Sequence, residues 1–251
     1  MVRIILSGCN GRMGQAIVRL ASENPNTVIV AGIDPFDGIN NAFPVFSNAA
    51  DVCVEGDVII DFSNPASLVA LLNFALSKSL PVVISTTGHT EQQLALAKAA
   101  TDKIAIFISG NMSLGINLLL NLVSKAAMTL EGLFDIEIIE KHHNKKIDAP
   151  SGTALMLANA ANNALKERCD FTYERESKRE KRSEKEIGIH SIRGGNIVGE
   201  HSVIFAGNEE IIEIKHTATS REVFAVGALK AAEYMADKKN GFHNMSDVIG
   251  I

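Results

Sequence analysis

The sequence predicts an α/β chain: a doubly wound parallel sheet, joined to a second α+β domain with a mixed or antiparallel sheet. Three observations predict it. Up to about residue 111, short valine- and isoleucine-rich runs alternate with helical stretches, the pattern of βαβ units. A glycine turn, Gly8 to Gly14, sits between the first such run and the first helix. Past residue 112 the alternation stops, and three β-type runs follow, broken by Gly194-Gly195 and Gly207-Asn208.

The bulk properties narrow the class. A chain of 251 residues holds one large domain or two modest ones, each able to bury a core. With 46% hydrophobic and 21% charged residues the composition is globular. No apolar run reaches the roughly 18 residues of a membrane span, and Val2-Arg3-Ile4-Ile5-Leu6 is too short for a signal peptide. Cys9, Cys53 and Cys169 are odd in number, with neither disulfide nor metal spacing, so a reduced, cytoplasmic protein without a metal is expected. A pI near 5.8 argues against a nucleic-acid partner.

Val2 to Leu6 reads as a buried strand, and Gln15 to Ser22 as a helix. Between them Gly8, Cys9, Asn10, Gly11, Arg12 and Met13 form a G-x-x-G-x-x-G turn in the strand–turn–helix context of a dinucleotide fingerprint. The first domain is therefore read as a Rossmann-type sheet. The strand Val28 to Ile33 ends in Asp34, about 20 residues past the turn, where an acid meets the cofactor ribose. Strands follow at 57–61, 80–84 and 104–108, with helices at 66–78 and 90–100. Two loops at strand carboxyl ends, Ser85-Thr86-Thr87 and Ser109-Gly110-Asn111-Met112, face the side where such sheets bind ligands. His89 is read as a surface residue. A helix from Ser113 to about Glu131 is apolar over much of its surface and is expected to be well buried.

Phe134 to Ile139 alternates as a strand, and Ala154 opens a helix. Between them lies Glu140-Lys141-His142-His143-Asn144-Lys145-Lys146-Ile147-Asp148-Ala149-Pro150-Ser151-Gly152-Thr153. Asp148 or Ser151 suits the helix N-cap and Pro150 its first turn. Cations beside a helix N-terminus, in a chain of net charge −5, suit a small anionic substrate. A metal site from His142, His143 and Asp148 is disfavoured, because adjacent histidines alternate sides in extended chain. Residues 174–186 form a run of nearly balanced charge, expected to be a solvated, mobile loop. Runs at 187–193, 197–205 and 211–216 read as an antiparallel meander, and 221–237 as a helix.

Glu140 to Ala154 resembles the E-x-H-H-x-x-K-x-D-A-P-S-G-T-A signature of the 4-hydroxy-tetrahydrodipicolinate reductase family, and the glycine turn resembles that family's G-x-x-G-R-M-G. The resemblance implies NAD(P)H-dependent reduction of a cyclic dicarboxylate in the diaminopimelate route to lysine. It implies His142 and Lys146 as the acid–base pair, and His143, Gly152 and Thr153 as the carboxylate clamp. It places Ser85, Thr86, Thr87 and Ser109 to Met112 against the nicotinamide half of the cofactor, with Ser85 and Met112 standing where the family has glycine and phenylalanine. It makes the cofactor domain discontinuous, residues 1–111 plus 221–251, around a substrate and oligomerisation domain at 112–220, with hinge closure around substrate. It also implies a homotetramer, which would cover meander residues such as Ile197, Val203 and Ile212. Asp34 followed by Pro35 leaves Arg12 as the obvious partner for a 2′-phosphate, so NADH is expected to serve at least as well as NADPH. Another dehydrogenase of amino or keto acids, or a nucleotide-sensing regulatory domain, would explain the glycine turn but not residues 148–153.

Overall fold

Isoleucine and valine runs pack into two separate sheets in the structure, a computed structural model that describes residues 1–250. The chain divides into two compact units, Met1–Ser113 with Glu222–Ile251, and Leu114–Arg221.

In the first unit the order is β1 (Val2–Ser7), α1 (Arg12–Glu23), β2 (Thr27–Ile33), β3 (Val45–Phe46), β4 (Val58–Asp61), α2 (Leu68–Lys78), β5 (Val82–Ile84), α3 (Glu91–Ala100) and β6 (Ala105–Ile108). The second unit holds α4 (Leu114–Leu130), β7 (Asp135–His142), α5 (Gly152–Ala164), β8 (Asp170–Thr172), β9 (Glu186–Arg193), β10 (Gly199–Ala206) and β11 (Ile211–Ala218). The chain ends in the first unit with α6 (Glu222–Met235), β12 (Gly241–His243) and α7 (Met245–Ile249). The short β3, β8 and β12 were not expected from the sequence.

The first sheet runs β12-β6-β5-β4-β1-β2-β3, with every pair parallel. It is the doubly wound sheet expected, with its order reversing between β1 and β4, where such folds bind ligands. Helices α2 and α3 cover Ile5, Ala31, Ile59, Val82 and Ile106, while α6 packs against α1 and against β1, β4, β5 and β6. Thr90 caps α3 through a box with Gln93, which explains where that helix starts.

The second sheet runs β11-β10-β7-β9-β8 and is mixed. It is not a meander. β7 lies between β9 and β10, parallel to β9 and antiparallel to β10. Inward residues Ile136, Ile138, Ile187, Ile189, Val203 and Phe205 meet Ile116, Leu119, Val123, Leu157 and Ala161 of α4 and α5. Fully burying side chains of this size contributes about 1.5–3 kcal/mol each. Val203 is therefore core, not part of an exposed face. α4 buries only one face, through Ile116, Leu119, Val123 and Ala127, and leaves Leu118, Leu122 and Met128 exposed.

The 174–186 run is anchored as well as charged. Arg175 binds Glu186 and donates to Glu137 at 2.7 Å. Arg182 reaches Glu137 at 3.0 Å, Asp135 at 2.6 Å and the carbonyls of Ile136 and Glu186. Guanidinium forks on strand carboxylates hold this segment against β7 and β9.

Candidate active site

In the first unit the turn after β1 has the geometry of a nucleotide loop. Gly8 sits at φ +80°, and a Cβ there would lie 2.4 Å from the Phe62 carbonyl oxygen. Gly14 is as crowded, with a Cβ position 2.1 Å from the Gly8 carbonyl. Only glycine fits both positions, and the backbone stays open to a ligand. Asp34, at the end of β2, accepts from Asn10 N at 2.9 Å and Phe36 N at 3.0 Å, which ties its carboxyl group to the turn. Asn10 also binds the Phe36 carbonyl and accepts from Asn41 at 2.7 Å. A cleft of about 1110 Å3 opens beside them, lined among others by Gly8, Gly11, Asp34, Phe62 and Ser63. Its size and its place at the β1/β4 reversal fit a dinucleotide.

The other expected cofactor contacts are distributed around this centre. Arg12 begins α1 and is exposed, with Met13 half-buried beside it. Cys9 is buried, and burial pushes its thiol up to about 11. Ser85, buried at the end of β5, donates its N–H to the Asp61 carbonyl at 3.0 Å, and Thr86 and Thr87 follow it outward. Ser109 Oγ donates to the Asn111 carbonyl at 2.7 Å, and Asn111 Oδ1 accepts from Ser113 N at 2.8 Å. This folds Ser109-Gly110-Asn111-Met112 into a fixed turn at the end of β6. The Met112 side chain is buried, and its carbonyl sits where a Cβ on Gly227 of α6 would lie, so its side chain does not face solvent. His89 is not a surface residue: it is half-buried, with both ring nitrogens enclosed.

In the second unit β7 continues to His142, so the strand carries the first histidine and the loop begins at His143. Glu140 and His142 are two residues apart and share the inward face. His142 Nδ1 lies 2.6 Å from Glu140 Oε2. Arg193 of β9 grips the same carboxylate, NH1 to Oε2 at 2.8 Å and NH2 to Oε1 at 2.6 Å. Ser151 N donates to Oε1 at 3.1 Å. Lys146 Nζ pairs with Asp148 Oδ1 at 2.8 Å, while Lys145 is exposed. His143 Nε2 is 3.1 Å from Arg221 NH2. Ser151 is the N-cap of α5, accepting from Ala154 N at 3.1 Å, and Pro150 precedes the cap instead of occupying the first turn. Gly152 starts the helix, with nothing beyond its chain neighbours and its own helix backbone within 4 Å of its Cβ position, and Thr153 follows half-buried. The helix N-terminus is thus open to an anion beside Gly152.

The electrostatics of this cluster centre on Glu140. Burial pushes its pKa up, but the hydrogen bonds from Arg193 and His142 prevail and hold it at about 2. Burial lowers the His142 pKa, outweighing the pull of Glu140. His201 of β10 packs edge-on to His142, ring centres 5.2 Å apart, and its Nε2 is 2.8 Å from Ser151 Oγ. Burial and the neighbouring His142 lower the His201 pKa to about 4.

His142, Lys146, His143, Gly152 and Thr153 thus fall on one strand end, one loop and one helix start. Glu140, Arg193, His201 and Arg221 join them, and sequence reading gave none of these a catalytic role. Arg193 and Arg221 are far from the motif in sequence, and only the sheet register and the return of the chain bring them in.

The parallel sheet, its glycine turn and Asp34 define a nicotinamide-nucleotide-dependent oxidoreductase, here with a second unit that presents cations and a helix N-terminus. Residues 2–112 match the family model described as dihydrodipicolinate reductase, N-terminus, and residues 115–249 match the one for its C-terminus. The chain belongs to the dihydrodipicolinate reductase family. It is 52% identical over 253 residues to the 4-hydroxy-tetrahydrodipicolinate reductase of Caldanaerobacter subterraneus subsp. tengcongensis, covering 99% of this chain and 98% of that one. It is 51% identical over 249 residues to the enzyme of that name from Clostridium novyi, with the same two coverages. Among solved structures, a dipicolinate-bound dihydrodipicolinate reductase from Paenisporosarcina sp. TG-14 superposes with a TM-score of 0.81 at 26% identity, covering 99% of both chains.

Proposed function

We infer that the chain reduces 4-hydroxy-tetrahydrodipicolinate to tetrahydrodipicolinate with loss of water, using NAD(P)H, in diaminopimelate and lysine biosynthesis. The observation that carries this reading is the joining of the family match to a site with the required chemistry: His142, Lys146 and an open helix N-terminus at Gly152. The experiment is oxidation of NADH by purified protein, given the condensation product of pyruvate and aspartate semialdehyde. Absence of turnover would remove the reading.

The first unit, with Gly8 to Met13, Asp34, and the loops at Ser85 and Ser109, is assigned to the cofactor, which supplies the hydride. The second unit is assigned to the substrate. Its two carboxylates need cations or N–H groups, and Gly152, Thr153 and His143 supply them; Arg221 stands beside His143 as a further cation. The carbon beside the reduced one needs a proton, and Lys146 and His142 are assigned to manage it. Their environments differ. Lys146 keeps Asp148 as counter-ion at the edge of the site, whereas His142 is buried on a carboxylate. That difference favours Lys146 as the donor and His142 as the group that accepts or relays.

The chain is proposed to form a homotetramer through the outward face of the second sheet, which carries Ile139, Ile192 and Ile204 among charged residues. Among the described residues no helix is long and apolar enough to cross a membrane. Three free thiols, Cys53 exposed among them, suit a reducing compartment such as the cytoplasm.

A further inference from the structure

A buried ion pair is weak evidence for stability, because desolvating both charges costs about as much as their attraction returns. Glu140 has no exposed side-chain surface, yet it is the most heavily bonded carboxylate of the second unit. A carboxylate offers about four lone-pair directions. Oε2 takes His142 Nδ1 and Arg193 NH1, and Oε1 takes Arg193 NH2 and Ser151 N. These donors come from β7, β9 and the start of α5. Strands β7 and β9 do not need this pair to find each other, since their backbones pair from Ile136↔Ile187 through His142↔Arg193.

What the pair adds concerns the loop of residues 143–150. Before it, His142 is bound through its ring; after it, Ser151 is bound through its N–H. In its middle, Arg193 NH2 donates to the Asp148 carbonyl at 2.7 Å, and Asp148 in turn holds Lys146. The ring contact also fixes chemistry. An ionised carboxylate only accepts, so Nδ1 carries the proton and the neutral ring keeps its lone pair on Nε2.

We propose that Glu140, gripped by Arg193, is a positioning residue for the reduction: it selects Nε2 as the working nitrogen of His142 and ties both ends of the loop that carries Lys146. The proposal rests on the reductase reading above. The groups turned toward the His142 ring are Glu140 from its own strand, Lys146 from the loop, Arg193 from β9 and His201 from β10.

The test reads the tautomer directly. Protein carrying 15N-histidine is examined by two-bond 15N–1H correlation at a pH where the ring is neutral, with His142 assigned by its loss in His142→Asn. The wild-type ring is expected to be protonated at Nδ1 and bare at Nε2. Glu140→Gln can offer the ring either an oxygen or an NH2, so mixed tautomers are expected, with kcat lowered roughly 10²-fold and NADH affinity unchanged. If that variant does not fold, Arg193→Lys keeps the carboxylate but loses the fork; kcat should fall about 10-fold while the tautomer stays. An Nε2-protonated ring in the wild type overturns the proposal. So does a folded Glu140→Gln protein with wild-type kcat and tautomer, or an Arg193→Lys protein with wild-type kcat. A wild-type protein that binds NADH without turning over substrate would remove the reductase reading instead, and the tautomer measurement needs no turnover to decide the role of Glu140.

Discussion

Lys146 Nζ lies 2.8 Å from Asp148 Oδ1, two residues further along the same loop. This contact separates the two adjacent lysines: Lys146 is half-buried with a fixed partner, and Lys145 is exposed. Lys146→Ala should lower kcat/KM by about 10²–10⁴-fold, and Lys145→Ala should cost little. NADH affinity, measured separately, should survive both changes. The opposite ranking in steady-state kinetics would mean the wrong lysine has been assigned.

Gly152 offers a sharper probe of the proposed carboxylate clamp. Nothing beyond its chain neighbours and its own helix backbone comes within 4 Å of its Cβ position, so Gly152→Val should fold while placing a branched side chain where an anion would approach the helix. KM should rise by about 10-fold or more, and dipicolinate should bind correspondingly worse. An unchanged inhibition constant in a folded variant would put the carboxylates elsewhere.

Cofactor choice is proposed to depend on Asp34. Its carboxyl group lines the nucleotide cleft and is held there by Asn10 N and Phe36 N. A ribose 2′-hydroxyl can donate to it, whereas a 2′-phosphate would meet an acid with Pro35 next in the chain. NADH is expected to be used at least as well as NADPH. A preference for NADPH above about tenfold in kcat/KM, worth about 1.4 kcal/mol, would contradict this.

Acid should loosen the second unit in two stages. His201 titrates near 6.5 when unfolded and at about 4 when folded, so the unfolded chain binds the extra proton between those values. Stability is therefore lost as pH falls from about 6.5 to 4. Glu140 follows, its contribution being complete above 4.5 and lost as pH falls toward 2. His201→Gln should flatten the fall in Tm between pH 7 and 4.5 while leaving the steeper fall below it. An identical Tm profile in wild type and variant would rule out His201 as the source.

Gly188 faces the Glu137 carboxylate so closely that a Cβ would lie 1.7 Å from Oε2. Gly188→Ala should displace that flexible side chain rather than the strand, and remove one anchor each from Arg175 and Arg182. Limited proteolysis should then cut the 174–186 segment faster, with kcat close to wild type. Equal cleavage rates would show that the segment does not depend on Glu137.

Much of the first unit was legible because parallel βαβ units announce themselves locally, each strand flanked by its own turn and helix. The second sheet was harder. Alternation marked Ile187–Arg193 and Ile197–Phe205 as strands, but it cannot say that β7, some 50 residues earlier, inserts between them. The parity at Val203 was also readable, since it shares a face with His201 and Phe205. Which way that face turns is set by α4 and α5, so an expected outer residue became core. The site followed the same division. His142, Lys146 and Gly152 lie in one continuous motif, whereas Arg193 is 53 residues from Glu140 and carries no local signal. The charge run is solvated as expected, but its anchors were not legible for a related reason, because Arg175 and Arg182 find Glu137 only across 38 and 45 residues.

The split of the first unit has a consequence for biosynthesis on the ribosome. Helix α6, which packs on β1, β4, β5 and β6, and the edge strand β12 both follow the second unit in the chain. Until they emerge, that face of the parallel sheet has no α6 over it and β6 has a bare edge. The second unit is continuous in sequence and can close earlier. Nascent chains are thus most exposed to aggregation until the segment after the second unit has emerged, at the nucleotide-binding half, and that half is where a chaperone would be needed most.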